Sequence, residues 1–582
     1  MKKYIFHGVT IIPDSFKKRG ILIIFLLTAG SFLDLFSLAS FLPVIVLVIS
    51  PDRAITNKYF SNLYSLTGLE DPAYFAVALT IVALIIIFIK TQINIWITHK
   101  KASYAYSVAG DFASRAMAKY LQIPYEKFAN TDYTNEMNRI SNLPIVYANN
   151  YLIPLGVILA ESLLLLMLLT VITAYNPMVA LFILLIVVPV VFVYRAKRIK
   201  MKNLGQQIKK TYPLLLKYTL QAVEALPEIQ VFKKEAFFKN RFKKIFSDLG
   251  VIFSKDHTAL TGSVRLTELV ATICISVLIV YALLSRQSVE NSILLLSIYA
   301  GVSFRAIPSI NRILAASLQI KTHEYVIAEL QQMMVPLDIS FEESIGNISF
   351  DKKIELADIS FRHEDRPWVL KNVSLTIGRG EKVAIFGKSG SGKTTLFLVM
   401  MQFLKAQEGT IKVDDVTIDD HNSAAWKKRI GYVPQNPYIL DDTLIENIAF
   451  GIPKEKIDQE KIMNLLRSLD LEAWMNKLPN KLNTIIGEKG TKLSGGQRQR
   501  LAIARALYHD AEILLLDEVT NQLDRDTEQD VINIIHNLSS LKKTVILITH
   551  RVELWKMFDS IYKIINNRLE KMHAGELESI DR

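Results

Sequence analysis

Cysteine is almost absent from this chain of 582 residues, which contains only Cys274. A single cysteine excludes a disulfide within the chain and any metal site built from several thiolates. Its position in an apolar run is typical of a small buried hydrophobic side chain. Acidic residues are also outnumbered, at 56 against 68 lysines and arginines. The basic residues cluster between apolar segments. We therefore predict that they set the orientation of the chain in a membrane, and we expect no nucleic-acid partner.

A signal-peptide cleavage site is absent as well. The N-terminus is basic, but the apolar run after it is too long for a signal-peptide core and no small-x-small site follows. Half of all residues are hydrophobic and the mean hydropathy is +0.25. Six apolar segments approach or exceed the roughly 20 residues that cross a bilayer. These predicted spans are residues 20–50, 73–97, 151–174, 177–194, 265–285 and 291–318.

Two long polar stretches, residues 99–150 and 195–263, separate the spans and are rich in lysine and arginine. The positive-inside rule places both in the cytosol, and with six spans both chain ends are cytosolic too. Their helical periodicity predicts that the spans continue as helices beyond the membrane, with short crossing helices at residues 125–137 and 225–242. The outer loop, residues 51–71, is amphipathic, and both a surface helix and an ordinary ordered loop fit it.

The composition changes near residues 335 and 336. After residue 350 the pattern alternates strands, glycine turns and helices, as in a soluble α/β domain. The predicted fold is therefore multidomain. A six-helix transmembrane bundle occupies residues 1–335, and an α/β domain of the P-loop NTPase type occupies residues 336–582.

The stretch GKSGSGKT, from Gly387 to Thr394, matches the phosphate-loop pattern without a mismatch. It follows an apolar strand and opens a helix, which is the context the pattern requires. Backbone N–H groups close around phosphate oxygens there, and the helix N-terminus adds partial positive charge. Lys393 is expected to reach the β- and γ-phosphates, and the Thr394 hydroxyl to bind Mg²⁺. The predicted ATP-binding residues of this loop are Gly387, Ser389, Gly390, Gly392, Lys393, Thr394 and Thr395.

A second apolar strand, ILLLDE, ends in two carboxylates. Asp517 suits Mg²⁺ coordination, directly or through water. Glu518 is placed to polarise the attacking water as a general base. Both assignments gain their strength from the phosphate loop that precedes them in the chain.

The stretch LSGGQRQRLAIARAL, from Leu493 to Leu507, lies between the phosphate loop and the acidic strand. With this order of motifs, the chain from about residue 354 to 573 resembles the ATP-binding cassette (ABC) ATPases. The resemblance implies that LSGGQ binds the γ-phosphate of ATP held by a partner, so a homodimer or a similar half-partner is expected. The residues concerned are Ser494, Gly495, Gly496 and Gln497.

Other positions match the same family. Gln435 resembles the Q-loop residue near Mg²⁺, His550 the switch histidine that senses the γ-phosphate, and Asp524 the D-loop aspartate. Residues 484–490 resemble the exporter-type loop that contacts the crossing helices. His363 stands where the family usually has an aromatic ring that stacks on adenine. An imidazole can stack there too, though less firmly, and the D-loop sequence VTNQLD also departs from the usual ATSALD.

Six spans followed by one cassette resemble an ABC exporter half-transporter of the cytoplasmic membrane. This resemblance implies ATP-driven transport, with the crossing helices as coupling helices. Two alternatives belong to other classes of protein. Soluble cassette ATPases lack spans, so six spans argue against them. A regulator that uses the same architecture to gate a partner membrane protein stays open, although the catalytic residues are intact.

Two arginines lie inside the sixth apolar segment. Arg305, Ser309 and Arg312 fall on one face of the predicted helix. A cavity-facing arginine avoids the cost of lipid exposure and binds phosphate in a bidentate way. These residues therefore predict an anionic substrate. Two alternatives remain: Arg305 pairs with Asp34 or Glu268, and Arg312 extends to the cytosolic interface.

Four stretches are similar to the bacterial flippases of lipid-linked oligosaccharides. They are SFLDLFSLASFLPVI, NKYFSNLYSL, YEKFAN and FRAIPSINRI. The resemblance implies an undecaprenyl-pyrophosphate glycan as substrate, whose tail the outer loop engages and whose pyrophosphate the arginines bind. The alternative is a general exporter of lipid A-like lipids or drugs with the same architecture.

Overall fold

The structure is a computed structural model that describes residues 8–40, 64, 67, 72–175, 177–284, 289–334, 348–364, 366–487, 493–520, 523, 525–538 and 542–573. The chain divides into two compact units. The first unit consists of Met1–Ile123 and Thr131–Ile339, and the second of Pro124–Asn130 and Ser340–Arg582. The domain boundary predicted at residues 335 and 336 lies outside the described residues, as does most of the outer loop 51–71.

The first unit is built of helices, because long runs of leucine, isoleucine, valine and alanine must satisfy their backbone groups internally in an apolar surrounding. Its principal helices are α1 (Asp14–Ala39), α2 (Pro72–Leu121), α3 (Ile153–Tyr175), α4 (Pro177–Glu224), α5 (Glu235–Leu284), α6 (Val289–Thr322) and α7 (Tyr325–Met334). Each of the six predicted spans overlaps one of the helices α1 to α6, and residues 41–50 of the first span lie outside the described residues. The helix count therefore agrees with the predicted six-helix bundle.

Four helical stretches are long and apolar enough to cross a membrane among the described residues. They are Asp14–Ser37, Ala73–Leu121, Tyr133–Ala174 and Glu235–Val277. The other two predicted spans fall in α4 and α6.

Three of the helices extend far beyond the thickness of a bilayer. Helices α2, α4 and α5 have 50, 48 and 50 residues. At 1.5 Å per residue each is roughly 70–75 Å long, more than twice the hydrocarbon thickness. The expectation that spans continue as helices agrees with these lengths. Helix α3 is preceded by Tyr133–Met137 and Leu143–Tyr147, which alternate with π-helical turns at Asn138–Asn142 and Ala148–Leu152.

Helices α4 and α6 pack closely at Gly205. A Cβ atom added at this glycine would lie 1.7 Å from the carbonyl oxygen of Thr322. The two backbones approach so closely only because residue 205 has no side chain. Small residues at helix crossings in membrane proteins commonly serve this purpose.

The second unit contains two sheets. Its strands are β1 (Lys353–Phe361), β2 (Leu370–Gly378), β3 (Lys382–Gly387), β4 (Glu408–Val413), β5 (Val416–Thr417), β6 (Ile430–Val433), β7 (Ile513–Asp517), β8 (Thr544–Ile548), β9 (Ser560–Ile565) and β10 (Arg568–Lys571). The smaller sheet is antiparallel, in the order β2-β1-β4-β5. The larger has the order β10-β9-β3-β8-β7-β6, and all of its pairs except β10–β9 are parallel.

The helices of the second unit surround these sheets. Within Ser340–Arg582 the described α-helices are Lys393–Met400, Ser423–Lys428, Leu444–Ile448, Gln459–Ser468, Glu472–Asn476, Gly495–Tyr508 and Arg525–Asn537. Every residue of β7 and β8 is buried, as expected for a parallel sheet covered on both faces. Because the central strands are parallel, their carboxyl ends lie at one edge, and that edge carries the motifs.

The two predicted crossing segments differ in their surroundings. The first forms a short helix, Tyr125–Ala129, within Pro124–Asn130, and this segment belongs to the second unit. The second forms a short helix at Leu226–Val231 and belongs to the first unit. Their role as coupling helices stays a prediction.

Candidate nucleotide site and membrane cavity

Three motifs meet at the carboxyl edge of the parallel sheet. Gly387 ends β3, Asp517 ends β7, and His550 follows β8 by two residues. Strands β3 and β8 are neighbours, as are β7 and β8. Residues separated by more than a hundred positions are brought together by this topology.

The phosphate loop turns sharply into its helix at Gly392. This residue caps helix Lys393–Met400 with a φ of 101°, a conformation that favours glycine. A Cβ atom there would also lie 3.0 Å from the carbonyl oxygen of Val369. Gly390 has a φ of 78°. The glycines thus allow a backbone path that presents N–H groups at a helix N-terminus.

The four predicted catalytic side chains converge. The Nζ atom of Lys393 lies 3.6 Å from Oε1 of Glu518 and 3.3 Å from Nε2 of His550. The same Glu518 oxygen lies 2.7 Å from Nε2 of His550. Its other oxygen accepts a hydrogen bond from Nε2 of Gln435 at 3.3 Å. Glu518 also has a φ of 50°, an uncommon conformation for a residue with a side chain and one often found at functional sites.

Lys393 is held inside the loop. Its ammonium donates to the carbonyl oxygens of Gly387 and Lys388, at 2.9 and 3.1 Å. Burial lowers the pKa of Lys393, and the nearby Glu518 carboxylate opposes that shift. These contacts hold the ammonium group at the N-terminus of helix Lys393–Met400, a position that favours phosphate.

Asp517 and Thr394 provide oxygen ligands of the kind that Mg²⁺ prefers. The Thr394 hydroxyl donates to Oδ1 of Asp517 at 3.4 Å. Burial raises the pKa of Asp517, an effect that the hydrogen bond from Thr394 opposes. In the part of the chain that the structure describes, no group of three or more His, Cys, Asp or Glu side chains forms a metal cluster. One carboxylate and one hydroxyl at the phosphate loop fit a metal that is bound together with nucleotide phosphates.

The LSGGQ segment forms the start of helix Gly495–Tyr508. Ser494 caps this helix, and its hydroxyl accepts from the backbone N–H of Gln497 at 3.2 Å. The Gln497 side chain in turn accepts from the backbone N–H of Ser494 at 2.9 Å. This reciprocal capping fixes a helix N-terminus at which Ser494 is exposed and Gly496 is buried.

His363 is exposed just after β1. Its ring packs edge-on against Phe361, with ring centres 5.0 Å apart. The predicted adenine contact of His363 stays a prediction. Asp524 and residues 488–490 of the exporter-type loop lie outside the described residues.

A cavity of about 560 Å³ that contains several charged side chains lies in the first unit. Helices α1, α2, α3 and α6 line it. Its charged side chains are Asp34, Lys90, Lys101, Glu161, Arg305 and Arg312. Four of these are basic and two acidic, so the lining is cationic.

Both arginines of α6 reach acidic partners across the cavity. The Nη2 atom of Arg305 lies 2.5 Å from Oδ2 of Asp34, whose Oδ1 lies 2.9 Å from Nζ of Lys90. The Nε atom of Arg312 lies 2.7 Å from Oε1 of Glu161. Two acidic partners were possible for Arg305. In the structure Arg305 pairs with Asp34, and Glu268 pairs with Arg265.

Ser309 is placed differently from the two arginines. It is fully buried, and its hydroxyl donates to the carbonyl oxygen of Arg305 at 3.0 Å, so it does not line the cavity. Sequence reasoning missed Lys90 and Glu161. Each was signalled by a lone charge in an apolar run, IFIKTQ and ILAESLL.

Comparison with known proteins agrees with this geometry. Residues 370–521 match the family model described as ABC transporter. The uncharacterized ABC transporter ATP-binding protein YwjA of Bacillus subtilis (strain 168) is 33% identical over 59% of this chain and 60% of its own length. The ATP-dependent lipid A-core flippase of Vibrio vulnificus (strain YJ016) is 30% identical over 62% of this chain and 59% of its own. Both matches thus cover less than two thirds of the relative's length.

A solved structure matches nearly the whole chain. It is described as a bacterial Atm1-family ABC exporter with ATP bound, and the TM-score is 0.78 at 18% identity. The match covers 98% of this chain and 96% of the other. The predicted fold class is confirmed. The chain has the fold of an Atm1-family ABC exporter, with a helical transmembrane domain and an α/β nucleotide-binding domain of the ABC transporter type.

Proposed function

We propose that this protein is an ATP-driven exporter that moves a phosphate-bearing lipid across the cytoplasmic membrane. The convergence of Lys393, Glu518 and His550 carries the proposal, because it assembles a phosphate-binding cation beside a general base. The other unit supplies helices of membrane-spanning length. In this function the second unit hydrolyses ATP, and the lipid passes through the first unit.

The nucleotide-binding residues divide the work of hydrolysis. Lys393 binds the β- and γ-phosphates within the loop from Gly387 to Thr395. Glu518 orients and deprotonates the attacking water, while His550 and Gln435 hold its carboxylate. Mg²⁺ neutralises phosphate charge when bound with ATP, and the side chains that would hold it are Thr394, Asp517 and Gln435.

Two copies of the chain, or one copy and a similar half-transporter, form the working unit. Ser494, Gly495, Gly496 and Gln497 act on the nucleotide held by the second copy. The exposure of Ser494 at a capped helix N-terminus supports this role, since such a terminus favours phosphate. Two further residues complete the nucleotide site. Asp524 is the D-loop aspartate, and His363 stacks on the adenine.

Both chain ends and the nucleotide-binding domain face the cytosol. The basic residues of α4 that follow its apolar half support this orientation, among them Arg195, Lys197, Arg198 and Lys200. Cytosolic segments close to membrane spans carry an excess of lysine and arginine.

The transported lipid bears a phosphate or pyrophosphate group, and a lipid-linked oligosaccharide is the preferred candidate. The excess of basic side chains in the cavity, with Arg305 and Arg312 among them, supports this substrate class. Arginine matches phosphate geometry with two parallel hydrogen bonds, and it does so best away from water. A bound headgroup would take over the contacts that Asp34 and Glu161 now make with the arginines.

A lipid A-like substrate is the second candidate. It is favoured by the relatives described as ATP-dependent lipid A-core flippases, which are 36% and 30% identical over the matched segments. Lipid A also carries phosphates, so the same cavity would suit it. Probes with different headgroups and tails separate the two.

The test uses the full-length chain in lipid nanodiscs and liposomes. Polyprenyl pyrophosphate, polyprenyl monophosphate, neutral polyprenol and lipid A are each added, and ATP hydrolysis and lipid transfer are measured. Polyprenyl pyrophosphate should stimulate ATP hydrolysis most, and neutral polyprenol should stimulate it least. Preference for lipid A would favour the second candidate, and hydrolysis without any transfer would favour a regulator of a partner protein.

A double variant and a control test the cavity. The chain with both Arg305→Ala and Arg312→Ala should keep its unstimulated ATP hydrolysis, but it should lose stimulation by the lipid and lipid transfer. Arg265→Ala is the matched control, because the Arg265 side chain is 83% exposed and, among the described residues, pairs with Glu268 three positions along its own helix. Transfer that survives in the double variant would reject the headgroup role of the arginines.

A further inference from the structure

The two oxygens of Asp517 have different hydrogen-bond partners. Thr394 donates to Oδ1, on the side of the phosphate loop. The hydroxyl of Tyr432 donates to Oδ2 at 3.4 Å. Since Asp517 is only 5% exposed, these protein donors rather than bulk water set the direction of its carboxylate.

Strand geometry explains why Tyr432 reaches Asp517. Tyr432 lies on β6 opposite Leu515 of the parallel neighbour β7. Side chains two positions apart on a strand share a face of the sheet, so Asp517 lies on the same face as Leu515. The phenol extends diagonally from one strand to the carboxyl end of the next.

The hydrophobic cluster against which Tyr432 packs also receives a residue from a remote part of the chain. The segment Pro124–Asn130 belongs to the same compact unit, and its Tyr125 stacks on Phe403 with ring centres 5.4 Å apart. Tyr125 and Tyr432 pack against one hydrophobic cluster.

Lys427 adds to the docking of this segment. Its Nζ lies 5.1 Å from the centre of the Phe403 ring, on which Tyr125 stacks. Aromatic stacks and cation–π contacts of this kind bring specific geometry in addition to apolar burial. The short helix Tyr125–Ala129 is thus anchored through Tyr125, on the hydrophobic cluster against which Tyr432 also packs.

We propose that Tyr432 is a positioning residue for Asp517, and that Tyr125 of the docked segment supports Tyr432 in this role. The inference rests on the proposed function, because Asp517 matters there as a ligand of the metal bound with ATP. Partners behind a metal ligand fix its orientation, and their loss typically costs about 10–100-fold in metal affinity or activity. A displacement of Pro124–Asn130 would therefore reach the metal ligand through the hydrophobic cluster that Tyr125 and Tyr432 share, and then through Tyr432.

The experiment separates metal binding from nucleotide binding. The full-length chain with Glu518→Gln retains bound ATP, and its ATP affinity is measured by equilibrium dialysis in Mg²⁺ and in EDTA. The ratio of the two affinities reports the contribution of the metal. Tyr432→Phe removes the hydroxyl and keeps the ring, so the ratio should fall about tenfold while affinity in EDTA stays the same.

Three further variants make the test specific. Tyr438→Phe is the matched control, because the Tyr438 side chain is 66% exposed, and it should keep the parental ratio. Tyr125→Leu removes the stack on Phe403 and should lower the ratio, whereas Tyr125→Phe retains the stack and should lower it less. Unchanged affinity in EDTA shows that each variant is folded.

The outcomes are distinct. A parental ratio in Tyr432→Phe would overturn the positioning role. A lowered ratio in Tyr432→Phe with a parental ratio in Tyr125→Leu would overturn the link to the docked segment. A parent chain that binds no ATP in either solution would reject the proposed function itself, and this inference with it.

Discussion

The Glu518 carboxylate is held at both of its oxygens. Oε1 lies 2.7 Å from Nε2 of His550, and Oε2 accepts from Gln435 at 3.3 Å. A general base must present one oxygen to water in a fixed direction, and two lateral partners provide that constraint. Glu518 directly follows β7, and its backbone φ of 50° is uncommon for a residue with a side chain.

Glu518→Gln should lower the rate of ATP hydrolysis by roughly 10²–10⁴-fold, the usual contribution of general-base catalysis. The amide cannot accept the proton of water, but it keeps the shape of the side chain, so ATP binding should persist. Phosphate release and ATP binding are measured on the same preparation. Glu460→Gln, at an exposed position of helix Gln459–Ser468, is the control. Hydrolysis at the parental rate would remove Glu518 from the catalytic role.

The same variant tests assembly. Trapped ATP should hold two copies together, so Glu518→Gln in saturating Mg-ATP should have the mass of a dimer in detergent by light scattering. In a second sample, Ser494→Arg places a large charged side chain at the exposed cap of helix Gly495–Tyr508. That substitution should prevent the ATP-dependent dimer. A monomer in both samples would contradict the proposed partnership of two copies.

Asp34→Asn should destabilise the transmembrane unit strongly. Asp34 is the shared partner of Arg305 and Lys90, and the side chains of Asp34 and Arg305 are only 14% and 22% exposed. Removal of one partner from a buried ion pair typically costs about 3–5 kcal/mol, because the other charge is left uncompensated. Thermal unfolding in nanodiscs gives the measurement.

Two controls accompany Asp34→Asn. Asp111→Asn breaks a pair with Arg115, whose side chain is 50% exposed, and should cost at most about 1 kcal/mol. Arg305→Ala should cost less than Asp34→Asn, since Asp34 retains Lys90 and accepts from Asn94 at 2.9 Å. If all three substitutions lowered the stability equally, the contacts of Asp34 would contribute no more than an exposed ion pair does.

Much of the nucleotide site follows from sequence, and the membrane cavity follows only in part. Glycine-rich turns and strand ends are local signals, and parallel pairing then brings Lys393, Asp517 and His550 to one edge. The helical period places Arg305 and Arg312 on one face, but it does not say which neighbour faces them. These neighbours depend on tertiary packing. It pairs Arg305 with Asp34 rather than Glu268, and it buries Ser309. It also brings Glu161 and Lys90 into the same cavity.

Gly205→Ala should destabilise the transmembrane unit. The added Cβ would overlap the Thr322 carbonyl oxygen, so α4 and α6 must separate, and overpacking of this kind typically costs about 1–3 kcal/mol. Gly250→Ala in α5 is the matched control, because nothing lies within 4 Å of its added Cβ. Alanine exceeds glycine in helix propensity by about 1 kcal/mol, so the control should gain stability. A gain at both positions would contradict the close crossing.

The stability of the full chain should fall as the pH drops from 7 to 5, partly because of His323. Burial lowers the pKa of His323, and the Gln319 carbonyl, 3.0 Å from its Nδ1, opposes that shift. The folded state therefore binds this proton more weakly than the unfolded chain does. The contribution of His323 is fully present above its unfolded pKa of about 6.5, and it is lost as the pH falls through the lower folded value.

His323→Gln should flatten this part of the pH dependence, because glutamine does not titrate. Unfolding temperatures of the full chain at pH 5, 6 and 7 give the comparison, and the difference between parent and variant should be largest at pH 7 and smallest at pH 5. His421→Gln is the control, since His421 is exposed, and its profile should match that of the parent. A His323→Gln profile parallel to the parent would mean that the buried imidazole is not linked to folding, and that other groups cause the acid sensitivity.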